Sequence, residues 1–447
     1  MKKTLLLLLI LALLLAGCGN EPISPESQES PKPETADIGG TLVEIGITEL
    51  DLTEIPYDLN YLAIAAPKFH SLSRIELGVT DLTCNEVARI QLAFPEARID
   101  YTLKILGMTA DVHTKELDLS AMTLEQAPEI LAQLPLLTGL QKINFISDDG
   151  ICVFTLDDIP VLDQFRQALP DVAFTVSFDL FGQRVTSEDE RIEYDRVPIG
   201  NDGVAIIRKV LPYLSACQYL LMDGCEVDNE VMAQLRADFP QPKVVWRVWL
   251  GAPNYGNDLA LRRRSFLTDT EVMWTLEIND ENCDVLKYCT ETKYVDFGHN
   301  RTISTCEFFS FMPNLEVAVL ALTNLNDLSP LANCPKLEYL EIFATKVTDL
   351  SPLANCKELK HLNISDLPGL TDISPLYGLT QLERLRIVKS GKVPQEQLEE
   401  FARLVPGCTI LKLGSDSTGE GWRIGPNGQV PRYKLLRQQL QYGNGQY

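Results

Sequence analysis

Apolar residues recur at a fixed spacing in the C-terminal half of the chain. The segment LSPLANC occupies residues 328–334 and again 350–356, 22 positions later, and the related ISPLYGL occupies 373–379. A short stretch of alternating apolar and polar residues, such as Leu340-x-Ile342, precedes each copy. Alternation with a period of two is typical of a strand with one buried face. The pattern therefore predicts one short strand and one tight return in every 22 residues.

A complete unit combines leucine positions with a turn position and a Ser-Pro-Leu return. Its positions are Leu337, Leu340, Ile342, Thr345, Val347, Leu350 and Leu353. This spacing resembles a leucine-rich repeat of the internalin type. The resemblance implies an α/β leucine-rich repeat solenoid, a curved horseshoe with short parallel strands on its concave face and helices and turns on its convex face. One unit cannot bury its own leucines, so stacked units supply the core.

The turn position of such repeats is usually Asn, whose amide hydrogen-bonds freed backbone groups. Here the position holds Asn300, Thr323 and Thr345, and Cys225 further upstream. Thr and Cys satisfy those backbone groups less well. We therefore expect a looser hydrogen-bond ladder along the turns that lack Asn.

The N-terminal half carries a longer motif in which a helical stretch ends at a proline and an alternating strand follows. The prolines of this motif are Pro95, Pro170, Pro240 and Pro406. Proline ends a helix because it lacks the N–H that the helix needs and its ring clashes with the preceding turn. The first three lie 75 and 70 residues apart, which predicts a larger repeat that pairs a short unit with a helix-bearing unit. One solenoid over residues 41–413 fits this pattern, and so do two repeat blocks that meet near 251–270.

The first residues resemble a bacterial export signal. Two lysines precede a 12-residue apolar run, Leu5–Ala16, which is well short of the ~18–20 residues that span a bilayer. The sequence LAGC at 15–18 resembles the lipobox of bacterial lipoproteins, which implies that Cys18 is lipidated and that the chain is cleaved before it. Residues 19–40 are rich in Pro, Ser and Glu, a composition typical of a disordered tether. The resemblance implies an extracytoplasmic protein, anchored by lipid to the bacterial cell membrane.

These patterns divide the chain into five segments. They are a signal peptide at 1–17, a lipidated Cys and tether at 18–40, divergent long repeats at 41–255, repeats that include the 22-residue units at 256–413, and a Gly-rich tail or C-terminal cap at 414–447. The tail contains aromatic and basic residues, among them Trp422 and Arg423. Its layout resembles the C-termini of leucine-rich repeat proteins from Firmicutes.

Composition and charge narrow the classes of function. The chain has 62 acidic against 39 basic residues and a formal net charge of -23, so the phosphate backbone of a nucleic acid would be repelled. Only four His residues are present, and the sequence contains no HExxH, GxSxG, GxGxxG, P-loop, EF-hand or CxxC motif. The sequence therefore predicts no cofactor, no metal site and no catalytic residue.

The cysteines after Cys18 fall into two groups. Cys334 and Cys356 stand 22 residues apart at the same repeat phase, and we expect them to stack as small core residues. The remaining cysteines include two closely spaced pairs, namely Cys217 with Cys225 and Cys283 with Cys289. An exported protein can form disulfides, so each pair is either a disulfide or two free thiols.

The concave strand face is the functional surface that the spacing predicts. The residue between the two inward-pointing positions of each strand faces outward there, in a column that is acidic for two-thirds of its length and basic at its end. Aromatic residues on an exposed face often anchor partners. The candidate ligand-binding residues are Glu277, Tyr294, Asp296, Tyr339, Glu341, Phe343, His361, Arg384 and Arg386. Charged residues on exposed strands also serve solubility and edge protection, which is the alternative explanation.

Repeat architecture without catalytic motifs favours a binding protein over an enzyme. The sequence predicts a surface-anchored, non-enzymatic leucine-rich repeat protein whose concave face binds a protein or peptide, with the membrane as its second partner through the lipid anchor. The alternatives are an enzyme or accessory subunit that acts on cell-wall or nutrient polymers, and a spacer in the envelope.

Overall fold

The computed structural model describes residues 33–414, 418, 422–425 and 428–439. The chain forms two compact units, one made of residues up to Thr114 with Ala132–Gly139, the other of Lys115–Leu131 with the chain from Leu140 onward. The predicted signal peptide and the predicted lipidation residue, Cys18, lie outside the described residues. Within the described part of the chain, no helix is long and apolar enough to cross a membrane.

The first unit begins with a small antiparallel pair, β1 (Thr35–Asp37) and β2 (Leu42–Glu44). Ile38 is fully buried beside it. The Asp37 carboxylate accepts hydrogen bonds from the N–H groups of the two glycines that follow, which closes the turn. The predicted tether over 18–40 is therefore too long at its C-terminal end, because Thr35–Asp37 form a strand and Ala36 and Ile38 are buried.

The larger sheet of the first unit has the order β3-β4-β5-β6. Its strands are β3 (Glu49–Asp51), β4 (Arg74–Val79), β5 (Arg98–Ile105) and β6 (Met108–Asp111), and its helices are α1 (Leu59–Ala65) and α2 (Cys84–Ala93). The first three strands are parallel, and β6 returns antiparallel to β5. Helix α2 starts at a capping box formed by Thr83 and Glu86 and ends at Phe94, just before Pro95. The helix–proline–strand prediction is confirmed here.

The second unit repeats this arrangement twice. The strands are β7 (Glu116–Asp118), β8 (Lys142–Asn144), β9 (Ala173–Thr175), β10 (Ser177–Leu180), β11 (Gln183–Thr186), β12 (Arg191–Asp195), β13 (Tyr219–Asp223), β14 (Lys243–Trp249) and β15 (Ser265–Leu267). The helices are α3 (Ala127–Gln133), α4 (Ile159–Ala168), α5 (Gly200–Val210), α6 (Asn229–Asp238) and α7 (Asp258–Arg264). Each group has three parallel strands followed by an antiparallel pair, which is the hairpin of β10 and β11 in the first group and β14 with β15, connected through α7, in the second.

The antiparallel hairpins correct the expectation of parallel strands throughout. Two of them turn on a pair of residues with positive φ, Leu106-Gly107 and Phe181-Gly182. Two successive left-handed residues form the tight turn whose twist matches that of paired antiparallel strands. The hairpins divide the strands into separate sheets, so the hydrogen-bond ladder is not continuous along the chain.

The last sheet contains seven parallel strands of three residues each. They are β16 (Val272–Trp274), β17 (Tyr294–Asp296), β18 (Val317–Val319), β19 (Tyr339–Glu341), β20 (His361–Asn363), β21 (Arg384–Arg386) and β22 (Thr409–Leu411). The returns between them are 3-10 helices at Cys283–Tyr288, Glu307–Phe311, Ser329–Asn333, Ser351–Asn355 and Ser374–Gly378, and the last return contains α8 (Gln395–Leu404). This is the predicted arrangement of one strand and one return per repeat.

The repeat core is packed as the spacing predicts. Leu340 pairs in register with Ala318 and Leu362 on the neighbouring strands. Leu340, Ile342, Leu350 and Leu353 are all buried, so the predicted repeat phase is confirmed.

The turn positions differ in what their side chains reach. Asn300 donates to the carbonyls of Thr275 and Phe297 and accepts the N–H of Ile278, so it joins two consecutive repeats. Thr323 and Thr345 each donate only to a carbonyl three residues earlier. The Thr side chain is too short to reach the preceding repeat, as Asn300 does. This agrees with the looser ladder that the sequence predicts.

All ten described cysteines are free thiols, including both candidate pairs. Cys334 and Cys356 are fully buried, as their shared phase predicts. Each thiol lies 3.4 Å from a backbone carbonyl oxygen of the preceding repeat, that of Phe309 and that of Leu331 respectively. These cysteines are core residues.

The predicted meeting point of two blocks near 251–270 lies inside the second unit. There β15 pairs with β14, and the Thr275 hydroxyl donates to the carbonyl of Arg263 at 2.6 Å. The chain therefore stays packed across the predicted boundary at 255, and the boundary between the two compact units comes earlier, at Thr114.

Candidate functional site

The outward side of the seven-stranded sheet is formed by the first and third residues of its strands, and we call it the strand face. In the third position the register aligns Trp274, Asp296, Val319, Glu341, Asn363, Arg386 and Leu411. The sequence placed Glu277 in this column, which is wrong by three residues. Trp274 lies 22 residues before Asp296 and pairs with it in register, whereas Glu277 follows the strand in a turn closed by the Thr275 hydroxyl.

The C-terminal segment lies on the strand face. Its described part contains a short hairpin, β23 (Ile424–Gly425) with β24 (Gly428–Gln429), and the helix α9 (Pro431–Gln439). We call residues 422–439 the cap. Trp422 is fully buried, and together with Val430 and Tyr433 it packs against apolar and aromatic side chains of the face. These are Tyr294, Val317, Val319 and Tyr339.

Glu341 is the polar centre of this contact, and its carboxylate is fully buried. It accepts hydrogen bonds from Trp422 Nε1 at 2.8 Å and from Arg423 Nε at 2.9 Å. The second guanidinium donor of Arg423 and the Tyr339 hydroxyl also donate to it. A buried carboxylate is stable only when paired and hydrogen-bonded, and the cap supplies both requirements.

Electrostatics around Glu341 keep its partners protonated. Burial alone would lower the pKa of Arg423, but the Glu341 carboxylate outweighs that effect and raises it. Burial, followed by the charge of Glu341, raises the pKa of Tyr339 well above its usual value. The ion pair and the phenol hydrogen bond therefore both persist at neutral pH.

The cap corrects the expectation of an exposed binding face. Of the predicted ligand-binding residues, Tyr294, Tyr339, Glu341, Phe343, His361 and Arg386 are buried, Asp296 and Arg384 are half-buried, and Glu277 alone is exposed. For the candidates that lie within the strands, the alternation placed the side chains correctly on the outward side of the sheet, but the cap covers that side. Their role in ligand binding remains a prediction.

The basic end of the strand face is also enclosed. The His361 ring stacks on Tyr339 with 5.8 Å between ring centroids and lies edge-on to Trp422. Burial lowers the pKa of the neighbouring Arg384. This end of the face therefore belongs to the docking surface of the cap.

A cavity of about 380 Å³ remains between the cap and the first strands of the sheet. Its lining residues are Trp274, Leu276, Asp296, Gly298, His299, Val319, Ala321, Phe343, Arg423 and Tyr433. Only Asp296 and Phe343 among these are predicted site residues. The 22-residue register leads to Trp274, whereas nothing local in the sequence indicates that Tyr433 returns to the sheet.

Asp296 is the carboxylate of this cavity. Its Oδ1 accepts the Gly298 N–H at 2.9 Å, which is its only hydrogen bond among the described residues. Burial, reinforced by the charge of Glu341, raises the pKa of Asp296 to about 7, although Gly298 and Arg423 act in the opposite direction. Arg423 is engaged by Glu341, so among the described residues no cation is hydrogen-bonded to Asp296.

A second, more open cavity of about 570 Å³ lies beside β14, in the sheet formed by β12, β13, β14 and β15. Arg247 at its edge donates two hydrogen bonds to Asp223, and the Tyr255 hydroxyl donates a third. Arg247 is therefore paired with Asp223 at this edge of the cavity. Among the described residues, no group of three or more His, Cys, Asp or Glu side chains is placed to hold a metal ion.

Comparison with known proteins shows which solved structures this chain resembles. No protein-family model and no curated protein matches the chain. The solved structures that match include internalin C2 of Listeria monocytogenes, 19% identical, covering 52% of this chain and 86% of that one with a TM-score of 0.28. Another internalin of that organism is 16% identical, covers 77% of this chain and 82% of its own, and has the same TM-score of 0.28.

A leucine-rich repeat protein of Leptospira interrogans is 14% identical, covers 80% of this chain and 93% of its own, and also has a TM-score of 0.28. Similarity at this level is too low to carry an argument. The leucine-rich repeat character of the chain therefore rests on its own repeats, in which one parallel strand and one 3-10 return recur in register about every 22 residues.

Proposed function

We propose that the chain is a non-enzymatic leucine-rich repeat protein that binds a protein or peptide at the bacterial cell surface, anchored through a lipidated Cys18. The observation that supports binding is the part of the seven-stranded sheet that the cap leaves as a cavity, lined by Trp274, Asp296 and Phe343. Rigid parallel strands hold such side chains in fixed positions, which lowers the ordering cost of association.

The cap moves the proposed contact surface to the edge of the strand face. Leu276 is 51% exposed at the mouth of the cavity, and Glu277 beside it is exposed as well. Asp296 and Phe343 line the cavity behind them. An exposed leucine over a cavity with one carboxylate suits an amphipathic side chain of a partner.

The state of the thiols supports binding rather than covalent catalysis. Burial raises the pKa of Cys283 and of Cys356 to about 11 and that of Cys334 to about 12. A nucleophilic cysteine needs the opposite shift, because the thiolate is the reactive form. These side chains therefore serve the repeat core.

Site-specific photo-crosslinking in the lipid-anchored full chain tests this proposal. A photoreactive residue replaces Leu276 in one variant and Phe311 in the control, two apolar side chains that are each 51% exposed. Phe311 lies on a 3-10 return rather than at the cavity. We expect a discrete protein adduct from position 276 and not from 311. Equal labelling from both positions, or no adduct from 276, contradicts the proposal.

A further inference from the structure

We propose that the cavity beside the cap binds an organic ammonium group, namely a lysine side chain of the partner. The assignment of the ammonium to a partner's lysine rests on the proposed function, whereas the ammonium site itself does not. The cavity combines one carboxylate, Asp296, with the apolar side chains of Leu276, Val319, Ala321 and Phe343. A lysine matches this combination because its apolar stem carries a point charge at the end.

The charge inside the cavity selects a cation. Arg423 and Glu341 neutralise each other through two hydrogen bonds from the guanidinium. Asp296 then remains as the uncompensated charge when it is ionised. An anionic ligand would approach the ionised Asp296 carboxylate, and like charges at such distances repel strongly in a low dielectric.

The donor set favours an ammonium over a metal ion. Calcium takes six to eight oxygen ligands and magnesium requires an octahedron, whereas the cavity offers a single carboxylate, and its other side chains are apolar or aromatic apart from His299 and the paired Arg423. A cation that needs one carboxylate and tolerates apolar neighbours fits better. Its remaining N–H groups can point to water at the mouth of the cavity.

The acceptors in the cavity favour lysine over arginine. Asp296 is the one carboxylate among the described residues that line it, and its Oδ1 also accepts the Gly298 N–H, whereas a guanidinium brings five N–H donors that need acceptors. An ammonium needs only one oxygen. A Cβ added at Gly298 would lie 3.1 Å from Asp296 Oδ1, so glycine at this position leaves the carboxylate uncrowded.

The cavity also has a suitable size. Ligand pockets commonly measure roughly 300–1,000 Å³, and this one, at about 380 Å³, lies at the small end of that range. A four-carbon chain with its ammonium fits there, together with a few waters. The exposed Leu276 at the mouth can contact the backbone to which the side chain belongs.

A titration of the full chain with small probes tests the site directly. N-acetyl-lysine-N-methylamide is the probe, and the norleucine analogue is the uncharged control. For a ligand of this size we expect a Kd on the order of 1 mM, with the norleucine analogue at least about tenfold weaker. Equal affinity of the two probes, or no binding of the lysine amide at ~20 mM, would overturn the site.

Two variants separate the charge of the site from its shape. Asp296→Asn should weaken the binding of the lysine amide about tenfold. Glu307 is an exposed acid on a 3-10 return, and Glu307→Gln should leave the affinity unchanged. Ala321→Met fills the cavity without changing its charge and should also weaken binding. If the asparagine variant fails to fold, Ala321→Met still tests the site, and unchanged affinity in that variant overturns it.

The free amine cadaverine distinguishes the two sources of an ammonium group. Binding of the lysine amide at least as tightly as cadaverine supports a side chain of a partner. Cadaverine that binds about tenfold more tightly overturns the lysine assignment in favour of a free diamine. The titrations need no partner, so their result remains valid even if the photo-crosslink at position 276 fails. In that case only the assignment of the ammonium group to a partner protein fails.

Discussion

Arg423 donates two hydrogen bonds to the carboxylate of Glu341, a residue that lies 82 positions earlier and is fully buried. Trp422 donates a third to the same carboxylate. Together these contacts attach the C-terminal cap to the strand face. They change the chemistry of the face, because an acid that alternation places on the surface becomes half of a buried ion pair.

Replacement of Arg423 by methionine should release the cap. A buried carboxylate that loses its cation costs about 3–5 kcal/mol, so exposing Glu341 to water becomes the better state. We expect faster amide hydrogen exchange across 422–439 and a red shift in the fluorescence of Trp422. Lys434→Met, which removes an exposed cation from α9, is the matched control. Unchanged exchange in the Arg423 variant would show that apolar packing alone holds the cap.

Leu340→Ala tests the repeat core. Leu340 is fully buried, and truncation of a buried leucine costs about 2–5 kcal/mol through lost burial and the cavity that remains. Denaturant titration of wild type and variant measures the loss. Leu413→Ala, at a leucine that is 85% exposed, should change the free energy of unfolding by less than about 0.5 kcal/mol. Similar losses at both positions would contradict the core assignment.

The stability of the fold should depend on pH through Asp296. Its pKa of about 7 in the folded protein lies above the usual 3.8, so between these values the folded state keeps a proton that the unfolded chain has released. The free energy of unfolding therefore falls as pH rises through that window and levels off above about 7.

Asp296→Asn removes this titration and leaves the neighbouring charged and titratable groups in place, namely Glu341, Arg423, His299 and Tyr433. The stability of wild type relative to the variant should decrease as the pH rises from about 4.5 to about 7.5. Denaturant titrations at both pH values measure the difference. A difference that does not change with pH would mean that Asp296 titrates normally.

Ala344→Gly should stabilise the repeat turn. Ala344 has a φ of 54°, in the left-handed region, as do Leu322 and Asp366 at the same turn of the neighbouring repeats. That conformation costs a non-glycine residue about 1–2 kcal/mol. Glycine avoids this cost, but its greater freedom in the unfolded chain lowers the stability of the fold by about 0.5–1 kcal/mol.

We expect a net gain of up to about 1 kcal/mol in the Ala344 variant. Ala332→Gly, inside the 3-10 helix Ser329–Asn333, should instead lose about 0.5–1 kcal/mol. Thermal unfolding of both variants measures the sign. A loss at both positions would mean that the methyl of Ala344 contributes more by packing than its conformation costs.

Cys18→Ala tests the lipid anchor. The LAGC sequence at 15–18 resembles a lipobox, and the two or three acyl chains that this resemblance implies would anchor the protein stably, whereas a single chain would bind only marginally. Fractionation should find the variant in the soluble fraction or as an unprocessed precursor. Cys84→Ala, at an exposed thiol, should leave membrane attachment intact. A Cys18 variant that is processed and membrane-bound would refute the anchor.

The sequence alone determined the repeat phase. The periods of two and 22 residues are local properties, and they placed Leu340 and Ile342 in the core and Tyr339 and Glu341 on the opposite side. Stacking enforces this choice, because a shift by one residue would turn every leucine of a strand to the outside. The helices that end before proline follow from the missing N–H of that residue, again a local cause.

Only the tertiary structure decided what covers the strand face. Trp422 reaches Glu341 across 81 residues, and no periodicity in the tail indicates where it docks. An acid that faces water and an acid that pairs with a distant arginine occupy the same position in a strand, so the local sequence cannot tell them apart. The difference arises from long-range burial, which removes Glu341 from water and makes its partner obligatory.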